Sequence, residues 1–234
     1  MYKRLLLKLS GEQLSGSFDS GFDTKTANYL AEEIKKVRKT GCQLAIVVGG
    51  GNMVRGAQIA GNGIRRVTGD QMGMLSGLIN SMALTDIFEA HDISTRCLSN
   101  IFADQIAESY SFRRAIKHLE NDRVIIIAGG IGRPYFTHDT ASVNLALELD
   151  CQAVLKASKV DGVYDMDPHK HKKAQKLDQV SFQQAVEDNA IKVMDKAAMG
   201  LAMEHQMPLI VFDAMKPGNI ERIVKNQAVG TTIR

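Results

Sequence analysis

The sequence predicts an α/β fold built around a mainly parallel β-sheet. Short runs of apolar and β-branched residues alternate with segments in which apolar residues recur at helical spacing, a pattern typical of strands joined by crossover helices. Small or polar residues directly follow four predicted strands, which end at Leu9, Val48, Ala128 and Lys156. Because ligands of open α/β sheets bind beyond the carboxyl ends of the strands, these loops are expected to form one site.

The individual elements follow from the same signals. The first strand is predicted at Leu5–Leu9, and Asp23 is the expected N-cap of a helix that ends at Gly41. The buried face of that helix carries apolar residues at helical spacing, namely Leu30, Ile34 and Val37. The later strands are predicted at Leu44–Val48, Val124–Ala128, Ala153–Lys156 and Leu209–Phe212, and the later helices near Asp70–Ala90, Ser181–Asn189 and Lys196–His205.

Composition and charge narrow the class of protein. Residues 1–234 are expected to form a single domain, since no repeat, low-complexity tract or linker interrupts the pattern. The net charge is only +3 and the basic residues are scattered, so no nucleic-acid partner is expected. No segment has the length of a membrane span or of a signal peptide, so no membrane partner is expected. Cys42, Cys97 and Cys151 form no CxxC pair, which indicates reduced thiols in a cytoplasmic protein.

A glycine-rich loop is the strongest single signal in the chain. Gly49, Gly50 and Gly51 directly follow a strand, and without Cβ atoms their backbone N–H groups can close around an anion. Arg55 adds a planar fork that suits phosphate oxygens. The sequence contains no GxxxxGK[ST] motif, and its glycines do not fit GxGxxG, so P-loop and dinucleotide-binding folds are disfavoured.

The remaining polar groups suit phosphoryl transfer. That reaction needs cations and N–H donors around the transferring oxygens, together with a carboxylate that orients the cations or a metal. Lys8, the glycine loop and Asp139 would supply this set, and Lys8 and Asp139 are the predicted catalytic residues. The segment 156–159 offers a second lysine beside small residues. No metal site made of protein side chains is predicted.

Six motifs, in order and with compatible spacing from about Tyr2 to the C-terminus, resemble the amino-acid kinase superfamily, and within it the bacterial members that phosphorylate UMP. The motifs are Lys8-Leu9-Ser10-Gly11-Glu12, Gly49-Gly50-Gly51-Asn52 with Arg55-Gly56, Gly69-Asp70-x-x-Gly73, Phe136-Thr137-x-Asp139, Lys156-Ala157-Ser158-Lys159-Val160-Asp161-Gly162-Val163 and Asp165-x-Asp167-Pro168.

The resemblance implies a three-layer αβα sandwich with an acceptor lobe at about 1–150 and an ATP lobe at about 151–234. It implies transfer of the γ-phosphoryl group of ATP to UMP, giving UDP and ADP for pyrimidine nucleotide synthesis, with Mg²⁺ accompanying ATP. It also implies a homohexamer built as a trimer of dimers, activated by GTP and inhibited by UTP. Arg96 and Arg123 are the candidate contacts for such an effector.

The resemblance also assigns roles to residues. Lys8 stabilises the transferring group, Asp139 organises the catalytic lysines, and Asp70 holds the ribose hydroxyls of UMP. The residues matched to ATP binding are Lys8, Leu9, Ser10, Gly11, Gly51, Arg55, Ser158, Tyr164 and Asp167. The residues matched to UMP binding are Gly50, Asp70, Ile131, Gly132, Arg133, Pro134, Tyr135, Phe136, Thr137 and His138.

Three positions depart from the family pattern. Ile131 stands where a hydroxyl residue is common, His138 where threonine is common, and Ser158 where threonine is usual. Ser158 retains the hydroxyl. Ile131 and His138 change the chemistry of the acceptor pocket, which leaves its base and phosphate contacts less defined than the glycines and Asp70.

Several residues have a simpler alternative role. Lys8 could be an ordinary solvated lysine, Arg55 could pair with a surface carboxylate, and Asp70 and Asp139 could cap the helices that follow them. The apolar residues on the long helix after Asp70 could form core or, as we favour, a subunit interface; they are Met72, Met74, Leu75, Leu78, Ile79 and Met82.

Two other functions are compatible with the residues. One keeps the fold but transfers the phosphoryl group to a carboxylate or carbamate, as acetylglutamate, aspartate and carbamate kinases do. The other is a protein that binds a nucleotide or an oxyanion without catalysis. The presence of both Lys8 and Asp139 argues against the second, and the Gly69-Asp70-x-x-Gly73 motif argues against the first.

Overall fold

The structure is a computed structural model that describes residues 1–61, 63–166, 168, 170–171, 173–188, 191 and 193–234. The strands are β1 (Arg4–Leu9), β2 (Gln43–Val48), β3 (Thr95–Ser99), β4 (Glu108–Ser109), β5 (Val124–Ala128), β6 (Val154–Ser158), β7 (Val163–Tyr164), β8 (Lys176–Leu177), β9 (Gln179–Val180), β10 (Leu209–Asp213) and β11 (Thr231–Ile233). The helices are α1 (Gly11–Leu14), α2 (Thr24–Arg38), α3 (Gly56–Ile59), α4 (Arg66–Ala90), α5 (Phe112–Glu120), α6 (His138–Glu148), α7 (Phe182–Glu187), α8 (Lys196–Glu204) and α9 (Asn219–Val224).

The main sheet has nine strands in the order β4-β3-β5-β2-β1-β6-β10-β11-β9. All neighbouring strands in it run parallel except β10 and β11, which are antiparallel. The expectation of a mainly parallel sheet is therefore confirmed. Strand β1 lies at the centre, and its Lys8 is level with Val47 of β2 and with Lys156 of β6. This register places two lysines side by side at the carboxyl edge of the sheet.

Helices cover both faces of the sheet, which confirms the three-layer αβα arrangement. Alternate residues of each strand point to opposite faces, so Leu5 and Leu7 pack with α2, α4 and α9, and Leu6 packs on the other side with α5, α6 and α8. Lys8 has the same parity as Leu6 and faces α6. The strand pattern thus aims the lysine at the helix that carries Asp139.

Most predicted elements lie where the sequence indicated. Asp23 caps α2 by accepting hydrogen bonds from the backbone N–H groups of Lys25 and Thr26. Strands β2, β5 and β10 and helices α7 and α8 fall within a residue or two of their predicted bounds. The sequence did not indicate β3 or α5. Among the helices of the described ranges, none combines the length and the apolar character needed to cross a bilayer.

Helix α4 begins earlier than predicted, at Arg66 rather than near Asp70. Its N-cap residue is Arg65, which makes no side-chain capping hydrogen bond. Asp70 is therefore inside the helix, one turn from its start, and the alternative that it caps the helix is wrong. The misplacement arises because the first turn carries arginine, valine and threonine, which give no clear N-terminal signal.

Candidate active site

Lys8, Asp139 and Lys156 form a charged cluster at the carboxyl edge of the sheet. The Nζ atom of Lys8 lies 2.7 Å from Oδ1 of Asp139, and the Nζ atom of Lys156 lies 2.9 Å from Oδ2. All three side chains are largely buried, with exposed fractions of 12%, 16% and 18% for Lys8, Asp139 and Lys156. The alternative of a solvated Lys8 is therefore wrong. The strand register forces the two ammonium groups together, and Asp139 supplies the intervening negative charge.

Electrostatics keep this cluster charged. Burial by itself raises the pKa of Asp139, but the ammonium groups of Lys8 and Lys156 outweigh burial and hold the pKa below its usual value. Burial lowers the pKa of Lys156, Asp139 opposes that effect, and repulsion from Lys8 adds to it. An incoming phosphoryl group would find a positive centre already oriented by a carboxylate, which is the arrangement that phosphoryl transfer requires.

The start of helix α6 is fixed by a network of hydroxyl groups. Thr137 caps the helix, accepting from the N–H groups of Asp139 and Thr140. The hydroxyls of Thr137 and Thr140 both donate to the carboxylate of Asp195, at the N-terminus of α8. Asp139 is therefore a first-turn residue and not the cap, so the alternative capping role is wrong. Its carboxylate also lies where a helix dipole favours negative charge.

The glycine loop lies against two other backbone segments. A Cβ atom on Gly11 would come within 2.6 Å of the carbonyl oxygen of Gly49, and one on Gly50 would come within 2.5 Å of the carbonyl oxygen of Gly73. These approaches are possible only without side chains. The glycines thus allow α1, the loop after β2 and helix α4 to meet at one point.

A buried amide pair braces the same loop. The Nδ2 atom of Asn80 donates to Gly49 O at 2.8 Å and to Asn52 Oδ1 at 2.7 Å. Asn52 in turn donates to Asn80 Oδ1 at 3.0 Å and to Gly21 O at 2.7 Å. Both side chains are almost fully buried. Since unpaired buried amides are costly, this pair fixes the glycine loop to helix α4.

Two cavities open at this edge of the sheet. The larger, of about 970 Å³, is lined by Ser158 and Lys159, and the smaller, of about 580 Å³, is lined by Lys8, Asp139 and Asp70. They share the residues Glu12, Gly51, Val54, Arg55 and Gln58. The loops that follow β1, β2 and β6 therefore converge, as predicted.

Glu12 and Arg55 form an ion pair at the junction of the two cavities. Glu12 also lies 3.7 Å from the Nζ atom of Lys159. Arg55 therefore pairs with a carboxylate, but that carboxylate is inside the site and not elsewhere on the surface. Arg55 and Lys159, which come from different loops, therefore both lie beside Glu12, near the junction of the two cavities.

Asp70 lies in the smaller cavity with Arg66, Arg133, Phe136, Thr137 and His138. Its carboxylate accepts hydrogen bonds from Nε of Arg66 and from the backbone N–H of Tyr135, the latter at 2.8 Å. The loop before α6 thus contacts helix α4 through Asp70. The structure brings most of the residues matched to the acceptor to this one cavity.

His138 is a titratable group of this cavity whose imidazole has a buried nitrogen. Its Nε2 atom is buried without a hydrogen-bond partner and packs against the backbone at Gly77 and Gly130. Burial, reinforced by the charge of Lys8, lowers the pKa of His138 from 6.5 to about 4. The imidazole is consequently neutral at physiological pH, so it presents one donor and one acceptor rather than a positive charge.

This shift predicts a pH-dependent stability. Between about pH 6.5 and 4 the unfolded chain binds a proton at His138 that the folded chain does not, so the free energy of unfolding falls as the pH falls. Protonation of His138 should lower the free energy of unfolding of the wild type by about 2 kcal/mol between pH 7.5 and pH 5. His138→Asn should lack this contribution to the decrease. Chemical denaturation at pH 5 and pH 7.5 measures it, with the exposed His205→Asn as control. Equal pH dependence in His138→Asn and wild type would contradict the shift.

Some predicted site residues lie outside both cavities. The Leu9 side chain is buried in the core, so only its backbone could face a ligand. Ile131 packs against the core on the α6 side, and Gly132 and Pro134 line neither of these two cavities. Tyr164 donates to Asp161 Oδ1 at 2.6 Å and also lines neither cavity. Asp167 is outside the residues that the structure describes.

Sequence reasoning missed four residues that shape the site. The sequence assigns no role to Lys156, although its position at a strand end repeats that of Lys8. Arg66 lies four residues before Asp70, a helical spacing that becomes visible once α4 begins at residue 66. Asn80 and Asp195 gave no local signal, because their partners are distant in sequence.

The chain is therefore an α/β protein in which two lysines and a carboxylate meet beside a glycine-rich loop at the carboxyl edge of the sheet. The sequence model of the amino acid kinase family matches residues 3–213, and the chain belongs to this family. A uridylate kinase of Dichelobacter nodosus is 46% identical over 232 residues, which cover 99% of this chain and 96% of the relative.

Solved structures agree with that assignment. The UMP kinase of Bacillus anthracis superimposes with a TM-score of 0.95 at 37% identity, covering 100% of this chain and 96% of the other. The UMP kinase of Ureaplasma parvum gives a TM-score of 0.92 at 33% identity, covering 100% and 99%. The chain therefore shares its overall fold with these UMP kinases.

Proposed function

We propose that this chain transfers the γ-phosphoryl group of ATP to UMP, giving UDP and ADP. The observation that carries the proposal is the smaller cavity, which holds Lys8 and Asp139 together with Asp70. A nucleoside monophosphate has a phosphate and ribose hydroxyls to match these groups. The relatives named for UMP phosphorylation at 46%, 37% and 33% identity support it. A carboxylate acceptor has no ribose hydroxyls for Asp70 to bind.

ATP is assigned to the larger cavity, beside Ser158 and Lys159, with its phosphates directed toward Lys8, Gly11 and Arg55. In this assignment residues 1–150 supply the acceptor lobe and residues 151–234 the ATP lobe of a single domain. The lysines and the loop N–H groups stabilise charge on the transferring oxygens, and Asp139 keeps the lysines in place. The acceptor phosphate attacks in line, which needs positioning more than covalent help.

Magnesium is proposed to enter with ATP as part of the substrate. Glu12, Asp19 and Asp213 line the larger cavity and carry the carboxylate oxygens that Mg²⁺ prefers. No three His, Cys, Asp or Glu side chains within the described part of the chain group as a metal site. When bound, the ion neutralises charge on the β- and γ-phosphates.

A coupled assay of ADP release tests the proposal. Mg·ATP is offered with UMP, CMP, dUMP, N-acetylglutamate, aspartate or carbamate, and turnover is expected to be strongest with UMP. Turnover with a carboxylate or carbamate in place of UMP would retain the roles of Lys8 and Asp139 but remove the ribose role of Asp70. Nucleotide binding without turnover of any acceptor would favour a binding protein and contradict the proposal.

Asp70→Asn should weaken UMP binding more than catalysis. A hydrogen bond to a charged group is worth about 1.5–3 kcal/mol, so we expect the KM for UMP to rise by roughly tenfold or more while kcat changes little. The preference for UMP over dUMP should also narrow, because the carboxylate is assigned to the ribose hydroxyls. Steady-state kinetics with both acceptors measure these effects. Asp86→Asn, on the exposed face of the same helix, is the control, and an unchanged KM would contradict the assignment.

A homohexamer made of three dimers is also proposed. Leu75, Ile79 and Met82 are exposed on one face of α4, with exposed fractions of 52%, 51% and 39%. Spacing of four and three residues makes them a continuous apolar stripe. Ile79→Glu should reduce the assembled mass toward that of the 25.6 kDa chain, as measured by sedimentation velocity, while Lys3→Ala, at an exposed position outside α4, leaves it unchanged. Assembly that survives Ile79→Glu would show that this stripe is not the interface.

Regulation by GTP as activator and UTP as inhibitor completes the proposal. Arg96 contacts Glu89 at 2.8 Å and lies 4.0 Å from Glu108, and Arg123 bonds to His118. Both arginines thus lie in a charged group near Glu108, away from the two cavities.

The free thiols of the three cysteines fit the proposed cytoplasmic setting.

A further inference from the structure

Tyr135 has an unusual backbone conformation. Six non-glycine residues of the described chain have positive φ, and five of them lie two residues beyond the end of a helix; these are Asp92, Asp122, Asp150, Gln206 and Asn226. Tyr135, with φ of +68°, lies instead in the loop before α6. A bulky residue in the left-handed region is strained, and such strain persists only where the surrounding structure holds it.

Two groups from helix α4 hold Tyr135 in place. Its backbone N–H donates to Oδ2 of Asp70 at 2.8 Å, and the guanidinium carbon of Arg66 lies 5.4 Å from the centre of its ring. Arg66 also donates from Nε to both carboxylate oxygens of Asp70, at 2.8 and 2.9 Å. Arg66, Asp70 and Tyr135 therefore form one unit in which each member contacts the other two.

The contacts with Arg66 and Tyr135 orient the Asp70 carboxylate but leave part of its hydrogen-bonding capacity free. Its carboxylate has about four lone-pair positions, of which Arg66 and Tyr135 occupy three. The side chain is only 13% exposed, and both Asp70 and Arg66 line the smaller cavity. The remaining acceptor capacity of Asp70 can therefore receive a hydroxyl from a ligand in that cavity.

We infer that Arg66 is a positioning residue that sets the specificity of the acceptor site for a ribose, acting through Asp70. The inference rests on the proposed function, since it needs an acceptor with ribose hydroxyls. Arg66 holds the carboxylate in one orientation and stacks on Tyr135, so the loop before α6 and helix α4 present a preset hydroxyl acceptor. Loss of Arg66 frees Asp70 to rotate and removes the group that supports the strained loop.

A double-mutant cycle tests this role. Arg66→Met keeps the length of the side chain but removes the guanidinium, and it is combined with Asp70→Asn. Arg65→Met is the matched control, because Arg65 is exposed and makes no side-chain capping bond at the same helix start. The measurements are KM and kcat for UMP and dUMP, together with equilibrium binding of UMP by calorimetry.

We expect Arg66→Met to raise the KM for UMP about tenfold, with kcat within threefold of wild type and a smaller change in the KM for dUMP. Adding it to Asp70→Asn should have little further effect, and Arg66→Lys should restore part of the loss. Equal losses for UMP and dUMP, or fully additive effects with Asp70→Asn, would overturn the inference. If the wild-type enzyme phosphorylates UMP and the variants give either of those two results, only the role of Arg66 is overturned. If the wild-type enzyme neither binds nor phosphorylates UMP, the proposed function is overturned as well.

Discussion

Asp139→Asn is expected to lower kcat by about 10³-fold, since one preorganised group typically contributes 10²–10³-fold and this carboxylate orients two. Asparagine has nearly the same shape, but it cannot balance the ammonium groups of Lys8 and Lys156 that lie 2.7 and 2.9 Å from the carboxylate. The two lysines then repel each other and leave their present positions. Single-turnover kinetics with saturating ATP and UMP would measure the loss in the chemical step.

The same substitution should also change how stability depends on pH. Removing one member of a buried ion pair typically costs about 3–5 kcal/mol. Burial already lowers the pKa of Lys156 and Asp139 opposes that effect, so the pKa should fall further in the variant. Where the pKa of a lysine is lower in the folded state than in the unfolded state, the free energy of unfolding rises as the pH rises. The destabilisation should therefore be smaller at pH 9.5 than at pH 7.

The exposed Asp122→Asn is a suitable control for charge removal. Wild-type kcat in Asp139→Asn would show that the carboxylate does not organise the reaction. A large loss of stability that is the same at both pH values would show instead that the lysines are not the groups it balances. Circular dichroism at the assay temperature separates loss of activity from loss of fold.

Lys8→Ala is expected to lower kcat by roughly 10²–10³-fold, or about 3–4 kcal/mol of transition-state stabilisation. Lys8 comes from the central strand and lines the smaller cavity, where its charge faces the position proposed for the transferring group. Asp139 keeps Lys156 as a partner in this variant, so the fold should be retained. The effect should therefore fall on kcat and not on stability.

Steady-state kinetics and thermal unfolding measured together would test this. Lys3→Ala removes an exposed lysine just before the same strand and is the control. A Lys8→Ala variant with near-normal kcat would remove Lys8 from the mechanism. A variant whose KM for both substrates rises while kcat is unchanged would assign Lys8 to binding instead.

Local patterns were sufficient to predict much of the architecture. The strands β1, β2, β5 and β10 are short apolar runs, and α2 has both a capping aspartate and a regular apolar face. Helix α5 was missed although Ser111 caps it and its apolar residues share a face, so the local signals for it were available. The start of α4 was misplaced because arginines replace the usual capping residues.

The residues of the candidate site likewise fall into two groups, those that local patterns predict and those that only the tertiary structure identifies. Motifs that are continuous in sequence, such as Lys8 to Gly11 and Gly49 to Gly51, could be read directly, and strand polarity placed them at one edge of the sheet. Asp139 was predicted as a partner for lysines, but only the register of β1 against β6 identifies Lys156 as the second lysine.

The sequence by itself determined the class of fold, the family and the residues most suited to phosphoryl transfer, because each depends on spacing within one element or loop. The tertiary structure decided which groups meet. Asn80 with the glycine loop, Asp195 with Thr137, and Arg66 with Tyr135 are pairs joined across 31, 58 and 69 positions of the chain. Contacts of that kind depend on helix packing and loop backbone angles, which no local pattern specifies.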